Sequence, residues 1–145
     1  MEFLDEVNYF YYKMALYELQ IMNEDDYYNG LSYNSLLYLN VIYQLKDCTI
    51  SKLAEMLHIT KPAVTLKVNE LVKQGAVTKT QSEEDRRVYY IRLSSQMDNT
   101  FNIYDNIFEK IETRLKTDYT QEQLESFSSI LHTISGYEWR QIKNE

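Results

Sequence analysis

Four residues, Gly30, Pro62, Gly75 and Gly136, are all the glycine and proline in a chain of 145. So few breakers exclude collagen-like and low-complexity chains and argue against a turn-rich all-β fold, leaving helices as the main element. The composition, 44% hydrophobic and 26% charged, is that of a globular protein. A chain of this length folds as one compact domain, burying roughly 70% of its unfolded surface without a metal or disulfide staple. The single cysteine, Cys48, excludes an intramolecular disulfide framework and suits a reducing compartment. No run approaches the roughly 18 consecutive apolar residues of a membrane-spanning helix. Acids at Glu2, Asp5 and Glu6 stand where a secretory signal needs a basic region, so the sequence predicts a cytoplasmic protein with no membrane partner.

Apolar spacing then divides the chain. Phe3, Val7, Phe10, Met14, Tyr17 and Ile21 form a heptad-like seam, widened by Leu4 and Tyr11, and predict a helix. Asn23-Glu24-Asp25-Asp26 breaks it and Asn29-Gly30 marks a turn. Ser32 is placed to cap a second helix, with Leu31 and Leu36 as a staple across the cap. Leu36, Leu37, Leu39, Val41, Ile42 and Leu45 make that helix apolar on most sides, which predicts burial.

A short helix over Ser51–Leu57 turns Leu53, Ala54 and Leu57 inward, and His58-Ile59-Thr60 leads to a longer one ending at Gln74. Thr60 can cap it, Pro62 sits in the first turn where a missing N–H costs nothing, and Gly75 suits a C-cap with positive φ. Val64, Val68, Leu71 and Val72 are its inner face. Alternation predicts strands over 76–81 and 88–93, joined by the polar tip Ser82-Glu83-Glu84-Asp85-Arg86-Arg87. Ser95, with Asp98 three residues on, opens a helix carrying Phe101, Ile103, Tyr104, Ile107, Phe108, Ile111 and Leu115. Thr120 and Gln123 form a capping box for a last helix with Leu124, Phe127, Ile130, Leu131, Ile134, Tyr137 and Trp139.

Charge is distributed unevenly. The net charge of −7 argues, taken whole, against nucleic acid. Yet Lys46 to Leu93 holds nine basic and six acidic residues, a net +3, which leaves −10 for the remainder. A basic middle between acidic arms is a polarised molecule.

Two helices joined by a three-residue turn, with small Ala54 at their crossing, describe a helix-turn-helix. Its second helix leaves Pro62, Ala63, Thr65, Leu66, Asn69 and Lys73 outward or flanking. That face is small and hydrogen-bonding near its N-terminus and can enter a major groove closely. Thr65 and Asn69 can reach base edges, and Ala63 or Leu66 thymine methyls. Lys61, Lys67 and Lys73 suit phosphates, helped by the partial positive charge of the helix N-terminus. At the hairpin tip, Arg86 and Arg87 form a pair suited to the negative potential of a narrow minor groove, and Asp85 can brace a neighbouring guanidinium through a charge-assisted bond.

This order resembles the MarR family of winged-helix transcriptional regulators. The matching stretches are Leu53-Ala54-Glu55-Met56-Leu57-His58-Ile59-Thr60-Lys61-Pro62-Ala63-Val64-Thr65, then Leu71-Val72-Lys73-Gln74-Gly75-Ala76-Val77, then Asp85-Arg86-Arg87. The resemblance implies a mostly α fold with a small β-hairpin wing: a winged helix-turn-helix at 31–94, an N-terminal dimerisation helix at 1–30 and C-terminal dimerisation helices at 95–145, in one integrated domain. It implies a homodimer on a pseudo-palindromic double-stranded DNA operator, with helix 61–74 in the major groove. It also implies that Arg87 reaches the minor groove with Asp85 bracing it. Lys79 stands near the place where many members have an arginine, and suits a phosphate.

Members of that family often bind small aromatic effectors between arms and DNA lobes and release DNA in response. Fourteen tyrosines make such a lining conceivable here, although aromatic stripes at helical spacing are ordinarily core. Cys48 reads as a small buried residue, and His58 and His132 lack the spacing of a metal site, so no cofactor is expected. Nor is an enzyme: three scattered glycines cannot cradle a phosphate, and no nucleophile elbow or HExxH is present. The alternative is a winged-helix module that binds protein and not DNA. The net charge favours it, while the outer face of 61–73 with Arg86 and Arg87 opposes it.

Overall fold

The computed structural model describes residues 2–24 and 30–137. The expected break at Asp25-Asp26, Asn29, Trp139 and the side chains of Ile103 and Tyr104 lie outside the described residues. The elements follow in the order α1 (Phe3–Asn23), α2 (Tyr33–Gln44), α3 (Ile50–Leu57), α4 (Lys61–Lys73), β1 (Val77–Gln81), β2 (Tyr89–Leu93), α5 (Ser95–Asp118) and α6 (Gln121–Ser135). The chain divides into two compact units, residues 1–98 and 99–145. The architecture is the expected one, mostly helical with a two-stranded antiparallel hairpin.

Local chemistry sets most boundaries. Ser32 caps α2 by accepting the N–H of Ser35, with Leu31 buried just before it. Thr49, two residues before the expected start, caps α3 by accepting the N–H of Lys52. α3 ends on His58 at φ 53°, where Ile59 N–H donates to the Ala54 carbonyl and His58 N–H to that of Glu55. α4 ends in the same six-to-one and five-to-two pattern, with Gly75 at φ 71° and bonds from Ala76 to Leu71 and Gly75 to Val72. For α5 the cap is Ser94, whose Oγ accepts the Met97 N–H, and not Ser95, which is already helical. Thr120 and Gln123 close the capping box of α6 in both directions.

The core of the first unit gathers Leu39 and Ile42 from α2, Leu53 and Ala54 from α3, Val64, Val68 and Leu71 from α4, and Val77 and Ile91 from the hairpin, all buried. The hairpin pairs Val77 with Leu93 and Gln81 with Tyr89. On its other side, Ile91 N–H donates to the Cys48 carbonyl at 2.8 Å and Thr49 forms an isolated antiparallel bridge with Tyr90, so the segment before α3 is pinned to β2 without forming a strand of its own. The expectation that α2 is apolar on most sides and buried is corrected: it buries Ser35, Leu39 and Ile42, while Leu37 is exposed. Val72 is likewise corrected from the inner face of α4, being 38% exposed. It follows buried Leu71 by one residue, a rotation of about 100° around the helix.

Candidate nucleic-acid interface

Capping and packing position α4. Thr60 Oγ1 accepts the Ala63 N–H at 3.4 Å, and Pro62 occupies the first turn. With Val64, Val68 and Leu71 buried inward, Lys61, Pro62, Ala63, Leu66, Asn69 and Lys73 are exposed together on the opposite side. Thr65 is half-buried, and its hydroxyl donates to the Lys61 carbonyl at 2.8 Å, leaving the oxygen as an acceptor. Leu66 is 74% exposed, a large apolar side chain among polar neighbours, and such a group fits a thymine methyl. The N-terminal N–H groups of α4 add partial positive charge beside Lys61.

Two of the expected phosphate lysines are engaged within the protein. Lys67 Nζ donates to Ser35 Oγ on α2 at 2.9 Å and pairs with Glu70 Oε1 at 3.0 Å, leaving its side chain 14% exposed. Ser35 is fully buried, so drawing Lys67 out to a phosphate would break a bond between α2 and α4 and leave the buried hydroxyl with Ser32 Oγ, at 3.0 Å, as its remaining side-chain partner. Lys79, on β1, donates to Asn69 Oδ1 at 2.8 Å and lies 5.9 Å from the Tyr89 ring centroid. The structure thus joins Lys79 to Asn69, the residue expected at base edges.

At the wing, the polar tip is held by its own side chains. Ser82, nearly buried, accepts the N–H groups of both Glu84 and Asp85 at 3.3 Å, and Gln81 Nε2 donates to the Arg86 carbonyl at 2.6 Å. Val88 N–H donates to the Asp85 carbonyl and Ser82 N–H to that of Val88, both at 2.9 Å. Within that frame Asp85 Oδ1 accepts the Arg87 backbone N–H at 3.0 Å. Its two oxygens also accept Arg87 Nε and Nη2, each at 3.1 Å.

The guanidinium fork holds the Asp85 carboxyl below the usual carboxylate range and raises Arg87 above its ordinary value. Arg87 remains 90% exposed, so the pair adds little stability in water; its effect is to aim the cation. Arg86 is exposed beside it.

Sequence reasoning missed Ser35, Gln81, Ser82 and Tyr89. Ser82 had a readable signal, because a serine followed by acids at a turn is placed to accept backbone N–H groups two and three residues on. Ser35 and Tyr89 act across the fold, where spacing gives no sign. Cys48 is buried, and burial pushes its thiol up to about 11. Its carbonyl, bonded to Ile91, serves the sheet. His58 supplies the left-handed cap of α3. Among the described residues no helix is long and apolar enough to cross a membrane, and no group of three or more His, Cys, Asp or Glu is arranged to hold a metal.

Residues 31–89, from the staple before α2 to the first residue of β2, match the model of the MarR family. Over 106 residues the chain is 23% identical to the HTH-type transcriptional regulator BilQ of Clostridioides difficile, covering 73% of this chain and 69% of that protein. Its fold is similar to Streptococcus pneumoniae FabT in complex with DNA, at TM-score 0.58 and 19% identity, with 91% of this chain and 94% of that one covered. It is also similar to the adhesin competence repressor AdcR of Streptococcus pyogenes, at TM-score 0.63 and 20% identity, covering 93% and 96%. The match over α2 to the start of β2, with the helix-turn-helix and wing built there, makes this part of the chain similar to the MarR family of winged-helix transcriptional regulators.

Proposed function

We propose that the chain is a homodimeric, sequence-specific binder of double-stranded DNA that acts as a repressor. The observation that carries the reading is the pair of probes on one lobe: the exposed outer face of α4, and 82–87 with its braced Arg87. α4 enters a major groove, with Ala63, Thr65, Leu66 and Asn69 at base edges and Lys61 and Lys73 at phosphates. Arg87, aimed by Asp85, enters the adjacent minor groove with Arg86 at its rim. Lys67 is left out of this interface because Ser35 and Glu70 hold it.

The homodimer is supported by the apolar faces of the long helices. Phe3, Leu4, Phe10 and Tyr11 on α1, and separately Phe127, Ile130 and Leu131 on α6, are exposed on a single chain, and apolar faces of this kind mark association surfaces. A symmetric dimer presents two α4 helices about one helical turn apart, roughly 10 base pairs, so its operator is an imperfect palindrome. Occupying that stretch excludes other proteins from it, which is repression. The −10 carried outside residues 46–93 keeps affinity for random DNA low.

The test is selection from random double-stranded fragments by the full chain, followed by titration of the selected site over a range of salt. With about three phosphates neutralised per lobe, log K falls against log salt with a slope of about −5. Passage through heparin at low salt with no fragment enriched would instead identify a module that binds protein.

A further inference from the structure

We infer that Lys79 sets the base preference of Asn69, so that α4 reads a keto base, guanine or thymine, at the position facing Asn69. The inference rests on the DNA reading above, since it needs α4 in a major groove. An asparagine amide ordinarily reads adenine with both ends: its oxygen accepts from the N6 amino group while its N–H donates to N7. Here the oxygen end is taken. Lys79 Nζ stands 2.8 Å from Asn69 Oδ1, and an ammonium has three donors and no lone pair, so only the oxygen of the amide can face it.

The lysine is held in place by the hairpin. Lys79 pairs with buried Ile91 across the strands and is two residues from buried Val77 on β1, on the same face of the sheet. The Tyr89 ring, with its centroid 5.9 Å from Nζ, adds a favourable face for the cation. In water a single exposed bond of this kind is weak. Docking against a duplex removes that water and strengthens it.

Asn69 then offers its NH2 alone, with a second donor, the ammonium, beside it. Two donors match the O6 and N7 acceptors of guanine or the O4 of thymine. Adenine and cytosine turn an amino group toward the major groove, and that group would meet the ammonium with its own hydrogens.

The experiment compares base preferences selected from random duplexes by the full-length protein and three variants. The position read by Asn69 is the one whose preference Asn69→Ala abolishes. Guanine or thymine is expected there for the unaltered chain. Lys79→Met keeps the stem and removes the donor, freeing Oδ1, and should raise adenine at that position on the order of tenfold while leaving other positions alone. Lys79→Arg keeps a donor and should keep the keto preference.

Adenine or cytosine at that position for the unaltered chain overturns the inference. So does a Lys79→Met protein weakened equally on all sequences, the mark of a plain phosphate contact, or the absence of any position that responds to Asn69→Ala. In those cases operator binding still stands. Selection of no sequence at all overturns the DNA reading, and the inference with it.

Discussion

Both the lobe from α2 to β2 and the long helices α1 and α6 carry apolar side chains at helical spacing, but they dispose of them differently. In the lobe, Leu39, Leu53, Val64, Val68, Leu71 and Ile91 are fully buried by one another. α1 and α6 bury no residue within a single chain, and Phe10, Tyr11, Leu19, Phe127 and Ile130 remain exposed. Folding free energy is thus available to the two regions from different sources. Burying a Leu or Phe side chain fully is worth about 1.5–3 kcal/mol. The lobe gains this from its own chain, whereas α1 and α6 leave it ungained among the described residues.

Substitutions on each side can break that contrast. The largest effect is expected inside the lobe, where Leu53→Ala should cost about 2–5 kcal/mol in denaturant unfolding, by equal amounts at low and high protein concentration. Phe10→Asp on α1 should act through association, weakening the dimer by about 2–4 kcal/mol in sedimentation while the circular dichroism of the lobe is retained. A dimer that survives this change would mean that α1 is not the seam.

Arg87→Ala should separate binding from folding, reducing operator affinity by about 1–3 kcal/mol with the thermal midpoint unchanged. Because Arg87 depresses the Asp85 carboxyl, the fork is intact above the ordinary value of 3.8 and is lost only as pH falls below it. The wing's share of binding should therefore stay flat from neutral to mildly acidic pH.

The smallest effect sharpens the comparison within the lobe itself. Gly75→Ala should cost about 1 kcal/mol from left-handed backbone alone, since an added Cβ would meet nothing within 4 Å. His58→Gly, at the matching cap of α3, should move stability in the opposite direction and by less.

Much of this was legible because it is local. Thr60 before Lys61-Pro62, Ser32 before α2, and Thr120 with Gln123 announce their helices through bonds spanning three residues. The Asp85–Arg87 brace was legible for the same reason, since its partners are two residues apart. At α5 the sequence reading takes Ser95 as the opening residue, one place too late for the cap, because the hydroxyl that accepts the Met97 N–H is that of Ser94. The partners of Lys67 and Lys79 were hidden for a different reason. Lys61, Lys67 and Lys73 look alike in sequence, and what separates Lys67 is a serine 32 residues away. Lys79 is similarly defined by a contact ten residues back, across a helix end and a turn. Exposure of α1 and α6 was equally hidden: a heptad seam reports that a face is apolar, not which chain covers it.

The isolated bridge at Thr49 and the Cys48 carbonyl bond have a mechanical consequence. β2 is fastened along one edge to β1 and along the other to the segment that opens α3. The hairpin is therefore braced at its root against the segment that opens α3, like a cantilever with a second support. On the DNA reading proposed above, that brace would help to hold the spacing between α4 and the arginine tip within one lobe. In the proposed dimer, the span from one lobe to the other would then be the quantity left free to vary.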